Sequence, residues 1–330
     1  MNIFKLLLLF TLLINANDDR PPVAYNYLGK SNVRHFINMM VHTYHFKQSY
    51  MTSVLKSAKL DRDTLVRYTG KFKKNSTVGT WERFKLHVVN PKTFEEARAF
   101  KKAHYVTLKK AAQRYKVDMD YIVGFLGVES HFGHYTGDYN VLDALATLAF
   151  HPNRMQKLFK SELKHLFLFA REKGYNISKL EGSFAGAMGC VQQLPSIARK
   201  FNYDFDGDGA SVWDIEDCIG SIARFMHHNG WHNGRVVAVP TNFKGKRFRK
   251  LKTSHRRMLW VKTIRKAGIK PLKPFRESRA YLLKLRNKTY DEVWMAGKNF
   301  RVLTRYNSAT AYGMAIHLIA QQVKQYYPTK

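Results

Sequence analysis

IVGFLGVESHFG, residues Ile122 to Gly133, carries the reading of this chain. Ile122, Phe125, Leu126 and Glu129 recur at i, i+3, i+4 and i+7, the stripe of one helix face, and Asp118 stands where a cap belongs. The stripe turns Glu129 toward the core. A carboxylate on an apolar floor, with no basic residue close in sequence, is expected to hold its proton to higher pH than usual, which suits a general acid. The plain alternative is a glutamate that ends its helix in solvent or pairs with a distant arginine.

Three further segments stand around it in order: LDALATLAF at Leu142–Phe150, GSFAGAMGCVQQLPS at Gly182–Ser196 and TRYN at Thr304–Asn307. With GVESHFG, and with the weaker FINMMVHTY, KTIRKAGIKP and NFRVLTRYN, the set resembles lytic transglycosylases of the membrane-bound lytic transglycosylase B family, from about Phe36 to Val323. The resemblance implies a mainly α (α+β) fold: a lysozyme-like helical core with an N-terminal helical extension and a small β-rich insertion before a C-terminal helix. It also implies an activity, cleavage of the MurNAc-GlcNAc β-1,4 bond of peptidoglycan without water, leaving 1,6-anhydroMurNAc ends.

In that mechanism Glu129 acts as acid and then as base. Carried over from the resemblance, Ser183 orients Glu129 or the sugar N-acetyl group, Gln192 holds substrate polar groups, and Asn307 bonds the reacting sugar. Tyr306 and Tyr312 line the cleft, and Arg154 meets a stem-peptide carboxylate. Glycoside hydrolysis usually takes two carboxylates. Of the nearby acids, Asp143 reads as a cap or buried hydrogen-bonding group and Asp138 as a solvated turn residue, which suits a reaction with one glutamate. The chain departs from the family pattern at CVQQLP, where Cys190, Val191 and Gln193 change a subsite wall, and at Phe84, which stands for a tyrosine. Two rival readings follow: a muramidase hydrolysing the same bond, and a catalytically silent peptidoglycan-binding scaffold.

DFDGDGASVWD offers Asp204, Asp206, Asp208, the Ala210 carbonyl and Asp214 as ligands of a structural Ca2+, with oxygens at alternate residues and a glycine turn. Ile215 stands where the usual bidentate glutamate would be, and Asp214 can equally cap the next helix. Weak calcium binding is expected, with no cofactor for the chemistry.

The opening MNIFKLLLLFTLLINA has one lysine, an apolar run from Leu6 to Ile14 and a small residue at Ala16, too short to span a bilayer of about 20 residues. It reads as a signal peptide over 1–16, with an uncleaved anchor as the alternative. The protein is expected to be exported and periplasmic, soluble or loosely membrane-associated. With no cysteine near the start it is not a lipoprotein. The two cysteines, Cys190 and Cys218, allow one disulfide without establishing it; Cys218 lies on an apolar helical stripe, and both are taken as free thiols of unknown redox state.

The formal charge is +32, and residues 244–288 hold eighteen Lys and Arg against one acid, Glu277. Phe248, Trp260, Phe275 and Tyr281 are interleaved, a mixture that single-stranded nucleic acid binding also uses. The export signal argues against nucleic acid, leaving an anionic wall or membrane surface as the partner of this region, beside peptidoglycan strands, or simply a solvated basic face. The expected organisation is a tether over 17–34, a helical catalytic domain over 35–232, a basic mixed/β-rich subdomain over 233–300, and a segment over 301–330 that packs back on the core. Within it, Thr93–Tyr115 reads as one helix capped by Thr93, and FRVLTRY as a β-like run.

Overall fold

The structure is a computed structural model that describes residues 20–69 and 79–326. The segment read as a signal peptide, 1–16, lies outside them. No helix among the described residues is long and apolar enough to cross a membrane. The fold is mainly helical, with small sheets, and divides into two compact units.

One unit comprises 79–132 and 219–326. At its centre runs the Glu129 helix, Met119–Ser130, started by the Asp118 carboxylate, which accepts from the Asp120 N–H at 3.0 Å. Nine of its twelve residues are buried, Tyr121 to Gly127 without a break. The sequence suggested a single apolar stripe, but a helix apolar on nearly all sides belongs in the middle of its unit. The closing helix Thr310–Tyr326 packs along it. Gly124 allows this approach, because a Cβ there would lie 2.6 Å from the Ile316 carbonyl oxygen. Tyr121 and His317 lock the same pair: the Tyr121 hydroxyl lies 2.7 Å from His317 Nδ1. Burial holds the imidazole neutral, with a pKa of about 4, and it is also hydrogen-bonded to the Ala238 backbone. Beside them Lys101 and Asp120 form a buried ion pair at 2.6 Å.

The segment read as one helix from Thr93 to Tyr115 is two, Pro91–Ala103 and Tyr105–Tyr115, broken at His104. Its cap is Asn90, whose side chain accepts from Thr93 N–H, with Pro91 setting the first turn. Thr93 is therefore inside the helix. FRVLTRY is also helical, within Lys298–Tyr306, so the expected β-run there is corrected. Its apolar Phe300, Val302, Leu303 and Tyr306 are buried, a spacing that a helix satisfies better than strict alternation.

The basic region holds a four-stranded antiparallel sheet in the order Ala238–Pro240, Asp291–Ala296, Arg279–Arg286, Met258–Trp260. With helix Val261–Lys266 it closes on a core that includes Phe248, Ile264, Phe275, Leu282, Val293 and Met295. Three of the four interleaved aromatics, Phe248, Phe275 and Tyr281, are thus inside, and only Trp260 is exposed. A stacking platform for nucleic acid bases needs several exposed rings; here they build the core and the cations coat it.

The other unit comprises 20–69 and 133–218. Its central helix, Val141–Phe150, is buried at every position and capped by Asn140. Helix Gln156–Lys173 packs against it. In the segment read as a tether, Tyr27 is fully buried and its hydroxyl meets Thr147 Oγ1 at 3.1 Å, so the packed body begins earlier than expected. Cys190 and Cys218 form a disulfide, correcting the free-thiol reading: helix Ile215–His228 turns Cys218 inward beside the loop that carries Cys190. Closing a loop of this length stabilises by about 3–4 kcal/mol in the chain-entropy account.

Gly124→Ala is expected to lower stability by about 1–3 kcal/mol through overpacking against Ile316. The midpoint of urea unfolding measures it, and an unchanged midpoint would show that the two helices can separate without cost.

Candidate active site

Glu129 is the penultimate residue of its helix. The helix ends at His131 in the left-handed region, and Phe132 and Gly133 follow with φ of 62° and 87°. Three such residues in succession are costly for a chain with side chains at two of them, and strain of this kind gathers at functional sites. The turn folds Phe132 back so that its ring covers Gly127, where a Cβ would lie 2.7 Å from the ring edge. It leaves Glu129 partly accessible at the surface although protein surrounds its carboxyl closely.

That surrounding sets its acidity. Loss of hydration raises the Glu129 pKa to about 8, and the hydrogen bond from the Tyr312 hydroxyl opposes the rise only in part. Among the described residues no charged group contributes. Tyr312, also deeply enclosed, is held far above the usual phenol range by burial and by Glu129, so it stays a donor. The Phe125 ring, one turn before Glu129, lies 5.6 Å from the Tyr306 ring and 6.3 Å from the Tyr312 ring. Next to Tyr306, Asn307 is buried and its Oδ1 has no hydrogen-bond partner among the described residues, an atom that a ligand N–H or O–H would satisfy. Glu129, Tyr306, Asn307 and Tyr312 therefore belong to one unit, at one end of the packed helix pair.

His255 was not visible as a site residue in the sequence. Its Nδ1 lies 3.0 Å from Thr310 Oγ1 and its Nε2 3.2 Å from Ser308 Oγ, while Arg256 reaches Ser308 Oγ at 2.5 Å. These contacts fasten the loop that carries Asn307 and the first turn beneath Tyr312. Burial and the Arg256 and Arg301 charges lower the His255 pKa to about 4, so the clamp holds an uncharged ring. A histidine within a basic run has no periodic signal to mark it.

The remaining expected residues lie in the other unit. Ser183 is buried, and its Oγ accepts from the Ala185 and Ala187 N–H groups at 3.3 and 3.0 Å, leaving its own proton for another acceptor. Gln192 adopts φ 47°, and its amide nitrogen donates to the Thr136 and Gly189 carbonyls, so it fixes the turn as well as lining it. The neighbouring Gln193 has the buried amide oxygen without a partner. Arg154 stacks over Tyr68 at 5.3 Å. Asp143 accepts from Lys59 N–H at 2.7 Å, a buried hydrogen-bonding role, while Asp138, read as a solvated turn residue, is exposed and accepts from the Tyr135 hydroxyl.

The carboxylates of Asp204, Asp206 and Asp208 offer oxygens within 4.8 Å of one another, and repulsion from Asp206 raises the Asp208 pKa. These three fit a calcium ion. The others fit less well: the Lys173 ammonium donates to the Ala210 carbonyl at 2.9 Å, and Asp214 caps helix Ile215–His228 by accepting from Glu216 and Asp217 N–H. Asp217 instead ties the loop, accepting from Phe205 N–H at 2.6 Å and Ser211 N–H at 2.7 Å.

Two outcomes are expected. A carboxyl whose pKa rises from about 4.5 to about 8 on folding favours the folded state below pH 4.5 and loses that contribution as pH rises through 8. Glu129→Gln should therefore unfold at higher temperature than wild type at pH 9, and equal midpoints would mean an ordinary glutamate. Calcium should bind with a Kd on the order of 10⁻³ M, and Lys173→Met, by freeing the Ala210 carbonyl, should tighten it; calorimetry with the metal alone reads both.

Residues 29–321 match the family described as the transglycosylase SLT domain. The chain is 32% identical over 307 residues to Membrane-bound lytic murein transglycosylase B of Escherichia coli K12, covering 90% of this chain and 84% of that one. Its structure is similar to that of the Escherichia coli lytic transglycosylase Slt35 in complex with calcium, at TM-score 0.83 and 32% identity, covering 92% and 96% of the two chains. It is also similar to soluble lytic transglycosylase SltB1 of Pseudomonas aeruginosa, at TM-score 0.77 and 28% identity, covering 89% and 98%. With its sequence matched almost end to end and its helices superposing on these enzymes, the chain belongs to the SLT transglycosylase family.

Proposed function

We propose that this chain is a lytic transglycosylase that cleaves the MurNAc-GlcNAc β-1,4 bond of peptidoglycan, with Glu129 as its single acid and base. The observation that carries the reading is the setting of Glu129: a carboxyl near pKa 8, bonded to Tyr312, with no charged group among the described residues contributing to its shift. Such a group is protonated at neutral pH and can donate to the glycosidic oxygen as the bond to the anomeric carbon breaks. The resulting carboxylate then takes the proton of the muramic C6 hydroxyl while that oxygen closes on C1. One bond breaks, one forms, and the proton passes from the C6 hydroxyl to the leaving oxygen with no net change in Glu129.

Tyr312 supports both halves of the cycle, because a phenol that keeps its proton stabilises the carboxylate once it forms. Asn307 Oδ1 is assigned to the reacting sugar and Tyr306 to the wall beside it. Ser183 and Gln192 are assigned to polar groups of the glycan, and Arg154 to a stem-peptide carboxylate, which a guanidinium can take with two bonds. Calcium takes no part in the chemistry; where it binds, Asp204, Asp206 and Asp208 hold it and the loop is stiffened. The leader over residues 1–16 supports export to the periplasm, and the cations of 244–288 support attraction to anionic wall or membrane surfaces.

Purified sacculi incubated with the enzyme should release 1,6-anhydromuropeptides, and Glu129→Gln should lower the rate by about 10²–10⁴. Mass spectrometry of the soluble products decides it: reducing ends would mean a muramidase, and no release by wild type would mean a binding protein.

A further inference from the structure

A cavity of about 710 Å³ opens in the basic part of the first unit, bordered by Arg235, Arg276, Arg279, Lys298 and Glu277. All four cationic residues are exposed. One carboxylate cannot balance four cations, and this one is already engaged: Glu277 accepts from the Lys298 backbone N–H at the start of helix Lys298–Tyr306. The positive end of the helix is thereby taken, and an incoming anion meets the cationic side chains. A concave surface of this charge concentrates positive potential and selects an anionic ligand.

The volume narrows the ligand first. It falls in the range of sites for organic ligands, roughly 300–1,000 Å³, and exceeds what a lone inorganic anion fills. The rim narrows it further. Trp260 is 48% exposed, with the Arg279 guanidinium 4.5 Å and the Lys262 ammonium 5.8 Å from its ring. A guanidinium seated on a ring keeps its N–H edge for a phosphate. Leu272, 62% exposed, stands two residues from Pro274 in the cavity lining, within about 7 Å along the chain. On helix Val261–Lys266, Val261 and Ile264 are buried while Lys262, Arg265 and Lys266 are exposed, which extends the cationic face beside Trp260. Large apolar side chains held outward among cations match a lipid–water interface, where indoles settle at headgroup level and Lys and Arg meet anionic phosphate. We infer that this cavity takes the phosphate and glycerol of an anionic phospholipid, with Trp260 and Leu272 entering the interface beside it, so that the sheet region docks the enzyme on a membrane leaflet. The inference rests on the reading of residues 244–288 as a face attracted to anionic surfaces, and deepens it by fixing one surface and the residues that recognise it.

The test is sedimentation of the full chain with vesicles of phosphatidylglycerol and phosphatidylcholine in equal parts, and with vesicles of phosphatidylcholine alone, at physiological ionic strength. Wild type should bind the mixed vesicles about tenfold tighter or more. Arg276→Gln combined with Arg279→Gln should remove most of that preference. Lys246→Gln combined with Arg249→Gln takes the same charge from exposed residues outside the cavity, and should weaken binding by about threefold at most. Replacing Arg276 and Arg279 by Lys, which keeps the charge and loses the forks, should give an intermediate affinity. Leu272→Ser should weaken vesicle binding by about fivefold and leave calorimetric binding of glycerol 3-phosphate unchanged. All the substituted residues are exposed, so unfolding midpoints should match wild type. Equal losses in the two Gln pairs would overturn the site and leave only a general attraction; equal binding of both vesicle types by wild type would sink the attraction to membranes as well. Vesicle binding indifferent to Leu272, with glycerol 3-phosphate held by the same arginines, would mean a soluble phosphate ester. A Gln pair at 276 and 279 that keeps vesicles and loses sacculi would mean a wall polymer, and either result overturns the lipid assignment.

Discussion

The site rests on the hydrogen bond from Tyr312 to Glu129, and that bond rests on how closely two helices approach. Tyr312 lies four residues before Ile316, whose carbonyl fills the space left open by Gly124, and five before His317, which is tied to Tyr121. A side chain at position 124 or a charged imidazole at 317 would push the helices apart. The phenol would then leave the carboxyl before any residue of the site itself had changed. The acid is therefore tuned by packing as much as by its immediate neighbours: an apolar wall removes water, and one neutral donor returns part of what was lost.

Much of this was legible in the sequence, for identifiable reasons. The stripe ending in Glu129 announced its own burial, and the ordered motifs named Tyr306, Asn307 and Tyr312 through resemblance. Spacing could not show that the Glu129 helix is buried on nearly every side, because a stripe and a fully apolar surface share the same first four contacts. The break at His104 was hidden for a similar reason: polar and apolar residues keep helical spacing across it, and only the cap at Asn90 and the separate packing of the two pieces distinguish them. FRVLTRY misled through its β-branched Val302 and Thr304 and its neighbours in a strand-rich region, where tertiary burial overrode propensity. The disulfide required a distance in space, which no spacing of two cysteines supplies.

The second unit shows how residues expected to bind substrate also hold their own loops. Gln192 spends its amide nitrogen on two carbonyls and Ser183 its oxygen lone pairs on two amides. What remains for a ligand is the complementary half of each group. Side chains held in this way are already oriented, which lowers the ordering cost of any ligand they meet.

The disulfide has a consequence for the denatured ensemble. Residues 190 to 218 form a closed ring that includes Gln192, the three clustered aspartates and the Asp214 cap, and this ring persists when every noncovalent contact is gone. Thermal disorder can therefore open the loop only to the extent that the ring allows. A chain returning from that state searches a smaller volume for the correct turn, with or without a metal ion to guide it. Covalent closure and Asp217 together make the register of this segment a property of the polypeptide.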